Sequence, residues 1–192
     1  MSKAKALLEL KELISQNDSL PLKNEATQLV FGVGNPNAEI MFIGEAPGFF
    51  EDQKGEPFVG AAGKLLDKML GSIKLSREDV FITNVVMYRP PNNRDPMDLE
   101  LEAFAEYLDK IVEIIHPKVI VTLGRFSMAK FLPGVKITQV HGKLYKVKYK
   151  ERTIFVIPMF HPSAALRGTE VMNMFTEDFV KLPKVLEKIN KI

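Results

Sequence analysis

The chain contains no cysteine. Disulfides, thiolate nucleophiles and cysteine-held metal clusters are therefore excluded, and the absence says little about compartment. It also lacks long hydrophobic runs: none approaches the roughly 18 apolar residues that a membrane span needs. An excess of either charge is missing as well. With 26 Lys and Arg against 24 Asp and Glu, the formal net charge is +2 over 192 residues, so any nucleic-acid surface must come from local clustering. No repeat, low-complexity tract, linker or phosphate-loop signature is present. The N-terminus, Met-Ser-Lys-Ala-Lys-Ala-Leu-Leu-Glu-Leu, reads as the start of an amphipathic helix and not as a signal peptide, which makes a cytoplasmic address the default. The rest is ordinary for a globular chain, 46% hydrophobic and 26% charged, and the length allows one domain over residues 1–192 with a sizeable core.

Apolar periodicity orders the chain. Leu7, Leu8, Leu10 and Ile14 predict a helix over 3–15. A break at 17–24 precedes a candidate short strand at Thr27–Val33, and Gly34-Asn35-Pro36-Asn37 is a turn by composition. Buried strands are predicted at about 39–43, 80–86, 119–123 and 153–157. Helices are predicted at 60–70, 98–115, 124–131 and 173–192, the last with a candidate break at Pro183. Three prolines forbid a ladder or helix interior between Tyr88 and Pro96. Strand 144–150 alternates strictly, with Tyr145, Val147 and Tyr149 on one face and Lys146, Lys148 and Lys150 on the other. Such lysines suit an edge strand that must resist aggregation, or a DNA-facing patch. Strands alternating with helices imply an α/β domain with a mostly parallel sheet. Ligands of such sheets bind beyond the carboxyl ends of the strands, which selects the loops 44–60, 83–96 and 158–168.

Each of these loops carries polar chemistry. The first offers Glu45, Glu51 and Asp52 with Phe58, the second Asn84, and the third His161. A planar, amide-like ligand would use this set: Phe58 to stack on its face, Asn84 to read one edge, His161 to donate to an oxygen, and a carboxylate to orient water. Each residue also has a structural alternative. A glutamate beside glycine is usually solvated, an asparagine can cap a turn, a histidine before proline can be a structural hydrogen-bonder, and a phenylalanine is commonly core.

Taken in order, Gly44-Glu45-Ala46-Pro47-Gly48 with Glu51-Asp52, Pro57-Phe58-Val59-Gly60, Thr83-Asn84, Arg89-Pro90-Pro91-Asn92-Asn93-Arg94, and His161-Pro162-Ser163 with Leu166-Arg167 closely resemble the family 4 uracil-DNA glycosylases. The resemblance runs from about Val30 to Gly168. It implies a three-layer α/β/α sandwich around a four-stranded parallel sheet, and excision of uracil flipped out of DNA. By resemblance, Phe58 stacks on uracil, Asn84 bonds its N3 and O4 edge, and the backbone at Glu45 and Ala46 faces the base. His161 stabilises the negative charge that grows on O2. Related families carry an aspartate at the position of Ala46. Here Glu51 is the candidate to position water or stabilise the cation. Leu166 and Arg167 enter the duplex, and Arg89, Arg94, Arg167 and Lys143 are phosphate-contact candidates. The implied partner is uracil-containing DNA, with a sliding clamp or other repair proteins as further candidates and a monomer as the working state. His141 receives no role.

The sequence departs from the resemblance at one point. Family 4 members usually hold a [4Fe–4S] cluster on four cysteines, and those positions fall at about Asn17, Leu20, Tyr88 and Phe104. No cluster or metal is therefore expected, and Leu20, Tyr88 and Phe104 are expected to fill the space by apolar packing. Two other readings stay open. A covalently trapping relative has Gln where Ala46 stands and a basic, histidine-bearing insertion after the second strand, neither of which this chain has. A non-catalytic DNA- or nucleobase-binding derivative is favoured by the missing cluster cysteines and opposed by the retention of Glu51, Asn84 and His161.

Overall fold

The four apolar runs pair as parallel strands. The structure, a computed structural model, describes residues 1–189, and among these residues the sheet has six strands in the order β1-β3-β2-β4-β6-β5. The parallel centre is β3 (Phe81–Asn84), β2 (Ile40–Gly44), β4 (Val119–Leu123) and β6 (Arg152–Met159). Two antiparallel strands, β1 (Val33–Gly34) and β5 (Tyr145–Tyr149), extend it at the edges. β5 is thus an edge strand, with its tyrosines and Val147 half-buried and Lys146 and Lys148 exposed.

Strand alternation divides the apolar side chains between two cores. Met41, Ile43, Ile120, Ile154 and Val156 pack on one face against α1 (Lys3–Gln16) and α4 (Asp98–Ile115). Ile40, Phe42, Val121, Ile157 and Met159 pack on the other against α3 (Ala61–Ser72) and α8 (Thr169–Ile189). This is the expected α/β/α sandwich. The ends of α4 show why the helix has these limits. The Glu100 carboxylate accepts the Met97 N–H at 2.8 Å, satisfying an unpaired donor of the first turn. His116 takes φ 53° and donates its N–H to Val112 O at 2.9 Å, and Pro117 cannot continue the ladder.

The structure revises several boundaries. The candidate strand at Thr27–Val33 shrinks to Val33–Gly34. Thr27 instead joins the loop side, where its N–H and hydroxyl donate to the buried Asp52 at 2.9 and 2.7 Å. The second strand stops at Asn84, although the N–H groups of Val85 and Val86 still reach Gly44 O and Glu45 O. Short helices interrupt stretches expected to be loop: α2 (Phe49–Lys54), a 3₁₀ turn at Pro91–Asn93, and α7 (Pro162–Ala165). Two more short elements are α5 (Arg125–Phe131), as expected, and α6 (Ile137–Val140), which the periodicity did not reveal. α8 starts at Thr169 and runs through Pro183 unbroken. Phe175, Phe179, Leu182 and Ile189 are buried on both sides of the proline, and their burial offsets the roughly 3 kcal/mol that an interior proline costs. The rest of the helix expected to residue 192 lies outside the described residues. Among those residues no helix is long and apolar enough to cross a membrane.

Candidate functional site

Because β3, β2, β4 and β6 run in one direction, their carboxyl ends open on one edge of the sheet. β2 sits at the topological switch: the chain leaves it to pair with β3 on one side and β4 on the other, and a crevice forms beyond such a point. A cavity of about 660 Å³ occupies it, lined by residues from 45–62, 84–95, 124–125, 137 and 160–167. All three loops selected from the sequence contribute. A fourth contribution, Gly124 and Arg125 after β4, was not anticipated, though a glycine closing an apolar run is the same signal that marked Gly44.

The innermost residues converge on Gly44. It pairs in register with Asn84. A side chain at Gly44 would collide with Asn84 Oδ1 and would come within 2.5 Å of Phe58 Cζ, so glycine is what lets amide and ring approach the strand end. Asn84 is 2% exposed, and its Oδ1 has no hydrogen-bond partner. Among the described residues only Thr122 Oγ1 shares that condition among buried side-chain atoms. A buried amide oxygen left without a donor costs about 1–3 kcal/mol, and Asn84 lines the cavity, where a ligand could supply that donor. Phe58 is buried, takes φ 54°, and packs its ring on the His161 ring at 5.6 Å with 28° between planes. Arg77 fixes that unusual backbone, donating to Pro57 O at 3.0 Å and to Phe58 O while its Nε bonds Asp67 at 2.6 Å. Nothing in the sequence pointed to Arg77, because the carbonyls it holds are about twenty residues away.

His161 follows β6 and caps α7. Its Nδ1 accepts the Ser163 N–H at 3.1 Å and lies 2.7 Å from Ser163 Oγ. A backbone N–H can only donate, so Nδ1 is unprotonated and the ring proton sits on Nε2. Burial, with the Arg167 charge second, lowers its pKa from 6.5 to about 4, so the ring is neutral near pH 7. The Gly124 backbone lies against it: a Cβ there would be 3.2 Å from His161 Cβ.

Glu51 lines the cavity from the first turn of α2. Its Oε1 accepts the N–H groups of Val59 and Gly60 at 2.8 and 2.9 Å, and its Oε2 that of Gly48 at 3.1 Å. The carboxylate therefore clasps both ends of the loop that carries Phe58, with one lone-pair direction left on Oε2. Burial first, and Asp95 second, raise the pKa of Glu45, which lines the wall with Ala46. Asp52 turns away to Thr27 and Gln28.

Of the expected DNA-contact residues, Arg94 and Arg167 line the cavity, whereas Arg89, Lys143 and Leu166 do not. The Arg94 guanidinium is paired with the buried Glu100 at 2.6 and 2.9 Å. Arg89 bonds Asn93 at 2.6 Å. Lys143 donates to Gln139 O at 2.7 Å. Leu166 stands 47% exposed beside Arg167. His141 pairs with the buried Asp178 at 2.7 Å and packs on Phe160, a structural role behind the cavity wall.

The positions that the resemblance assigns to cluster ligands do not fit a thiolate-held cluster. Leu20, Tyr88 and Phe104 are buried in one core, with the two rings 6.1 Å apart. Burial raises the Tyr88 pKa, which keeps the phenol neutral. Asn17 donates to Tyr107 Oη at 2.9 Å and accepts from Ser19. Among the described residues no group of three His, Asp or Glu side chains could hold a metal ion.

Comparison with known proteins places the chain in a family. Residues 31–187 match the model of the uracil DNA glycosylase superfamily. The chain is 49% identical over 183 residues to the type-4 uracil-DNA glycosylase of Sulfurisphaera tokodaii, covering 92% of this chain and 83% of that protein. It is 49% identical over 173 residues to the type-4 enzyme of Archaeoglobus fulgidus, covering 87% of this chain and 86% of that protein. For the type-4 enzyme of Thermotoga maritima the identity is 41% over 188 residues, 94% and 96% of the two chains. The chain belongs to the uracil DNA glycosylase superfamily, on its type-4 branch.

Proposed function

We propose that this protein is a DNA repair glycosylase that takes uracil flipped out of DNA and hydrolyses its N-glycosidic bond, leaving an abasic site. The observation that carries the reading is the unpartnered Oδ1 of Asn84, buried beside the Phe58 ring. Uracil presents N3–H as a donor next to O4 as an acceptor, and one amide complements both: Oδ1 accepts from N3–H while Nδ2 donates to O4. Cytosine reverses the pattern, with a lone pair at N3 and an amino group at C4. Both contacts then become repulsive, and a site built for one pattern rejects the other strongly.

Breaking the C1′–N1 bond sends its electron pair into the pyrimidine, where charge collects on N1, O2 and O4, and leaves an oxocarbenium-like sugar. His161 supplies a neutral Nε2–H to O2. A neutral imidazole whose other nitrogen is held by Ser163 stays aligned as the charge grows, as an oxyanion donor must. Water then adds to C1′; one proton goes to the uracil anion and the hydroxyl remains on the sugar. Glu51 lines the cavity, and its Oε2, with only the Gly48 N–H bound, is the candidate to orient that water, with the carboxylate charge stabilising the cation. Arg167 and Leu166 meet the strand, and Arg89, Arg94 and Lys143 are further candidate phosphate contacts. The enzyme works without an iron–sulfur cluster, a reading supported by the side chains that fill the corresponding space.

Uracil release from labelled oligonucleotides tests this. Wild type should convert U-containing strands to abasic sites and leave C-containing strands intact. His161→Ala should slow the single-turnover step about 10²- to 10³-fold, the size of one lost oxyanion donor. Equal rates for the two proteins would refute the role of His161. An SDS-resistant protein–DNA adduct would replace hydrolysis by covalent trapping.

A further inference from the structure

Two phenylalanines outside the cavity have no place in either core. Phe49 and Phe50 open α2 and are 49% and 63% exposed. Single exposed apolar residues need no explanation, but this pair is built into the cavity rim. Its neighbours on either side, Gly48 and Glu51, line the cavity. The rings meet edge to face, 5.5 Å apart at 82°. Phe50 leans on Gly60, where an added Cβ would be 3.4 Å from its ring, and Gly60 is held by Glu51. The Arg89 guanidinium stands 5.2 Å from the centre of the Phe49 ring, and the Nε of Arg89 bonds Asn93, another cavity-lining residue. Both residues are therefore held at the rim while about half or more of their surface stays in water.

We propose that Phe49, Phe50 and Arg89 form a stacking step for the unpaired nucleobase next to the target on the same DNA strand. This rests on the glycosylase reading above. When the target base leaves the stack, its neighbour loses a stacking partner, and a flat hydrophobic surface at the cavity mouth replaces it. Aromatic side chains accept any base, since every base has a π-face. The guanidinium adds attraction to the ring beneath it and offers its remaining N–H groups to a phosphate. The platform is continuous with the cavity, and although Glu51 and Asp52 follow it on α2, the charge set against the Phe49 ring is the Arg89 guanidinium, opposite in sign to the DNA backbone. The protein should accordingly favour uracil in single-stranded or opened DNA.

The test is the double variant Phe49→Leu/Phe50→Leu, which keeps apolar bulk and removes the flat faces. On a single-stranded U-containing oligonucleotide, kcat/KM should fall roughly tenfold, the scale of one lost base–aromatic stack, mainly through KM. Inhibition by free uracil should not change. Replacing the base 5′ or 3′ of the uracil by a tetrahydrofuran abasic analogue should cost wild type a similar factor on one side. The variant should lose nothing further there, because the two changes remove the same contact. Unchanged kcat/KM in the variant, or additive losses from variant and analogue, would overturn the inference and leave the glycosylase reading standing. So would a sedimentation result in which wild type dimerises and the variant does not, which would assign the patch to a second copy. Failure of wild type to release uracil from any strand would remove the glycosylase reading itself, and this inference with it.

Discussion

Replacing Glu51 separates its bracing role from its chemical one. The carboxylate accepts three backbone N–H groups, from Gly48, Val59 and Gly60. A hydrogen bond to a charged group contributes about 1.5–3 kcal/mol. The freed N–H groups belong to half-buried residues, Gly48 on the cavity wall, where water can partly replace the carboxylate, so Glu51→Ala should cost about 3–4 kcal/mol in total. At roughly 2–4 °C per kcal/mol for a chain of this size, the unfolding midpoint should fall by about 10 °C. Glu51→Gln differs: its amide oxygen can keep the two bonds at Oε1, but an NH₂ then faces the Gly48 N–H. One bond is lost, and the midpoint should fall only about 4 °C. Two assays read the two roles. Inhibition by free uracil reports the shape of the Phe58 loop, and should weaken in the Ala variant but not in the Gln variant. Single-turnover uracil release at 25 °C reports the chemistry, and should fall about 10²-fold or more in Gln, which keeps the shape but not the charge. A Glu51→Ala protein with wild-type midpoint and uracil inhibition would refute the brace. A Glu51→Gln protein with the wild-type single-turnover rate would refute the chemical role.

Because the folded pKa of His161, about 4, lies below the ordinary 6.5, the unfolded chain binds more protons between those values. The stability tied to His161 should thus be complete above pH 6.5 and lost as pH falls toward 4, on the order of 2–3 kcal/mol. Urea unfolding of wild type against His161→Ala at pH 7 and 4.5 would show it, and a constant difference would refute it. Gly44→Ala should abolish uracil inhibition and activity, since its methyl group would occupy the space where Asn84 Oδ1 and the Phe58 ring approach; retained activity would move the base elsewhere. Arg77→Ala should release the Phe58 backbone and raise the inhibition constant for free uracil about tenfold or more, since even one of the two carbonyl bonds to the charged guanidinium contributes about 1.5–3 kcal/mol, while Arg77→Lys, lacking the fork, should rescue it only in part. Purified protein should contain no stoichiometric iron, as elemental analysis would establish.

The central strands were legible because each is an unbroken apolar run, and a run buried on both faces has few other conformations open to it. Helix α4 was legible to the residue because its cap glutamate, periodicity and terminal His116-Pro117 agree. Helix α2 was not. It is six residues long and begins with two exposed phenylalanines, so it has no amphipathic stripe, although Gly48, Glu51 and Gly55 are recognisable cap residues in retrospect. The strand at Thr27–Val33 failed because Thr27 had a better partner, Asp52, across the fold.

Most residues of the candidate site, though not Arg77, Gly124 and Arg125, were therefore legible in the sequence: which side chains stand at strand ends is fixed by local pattern, and the absence of cysteine fixes what cannot be ligated. What each side chain does with its polar atoms was decided by the tertiary structure. Whether Glu51 is free or clasped, which nitrogen of His161 holds the proton, and whether Asn84 is satisfied depend on backbone groups brought near by folding. Directional hydrogen bonding reads three-dimensional position, and no spacing along the chain encodes it.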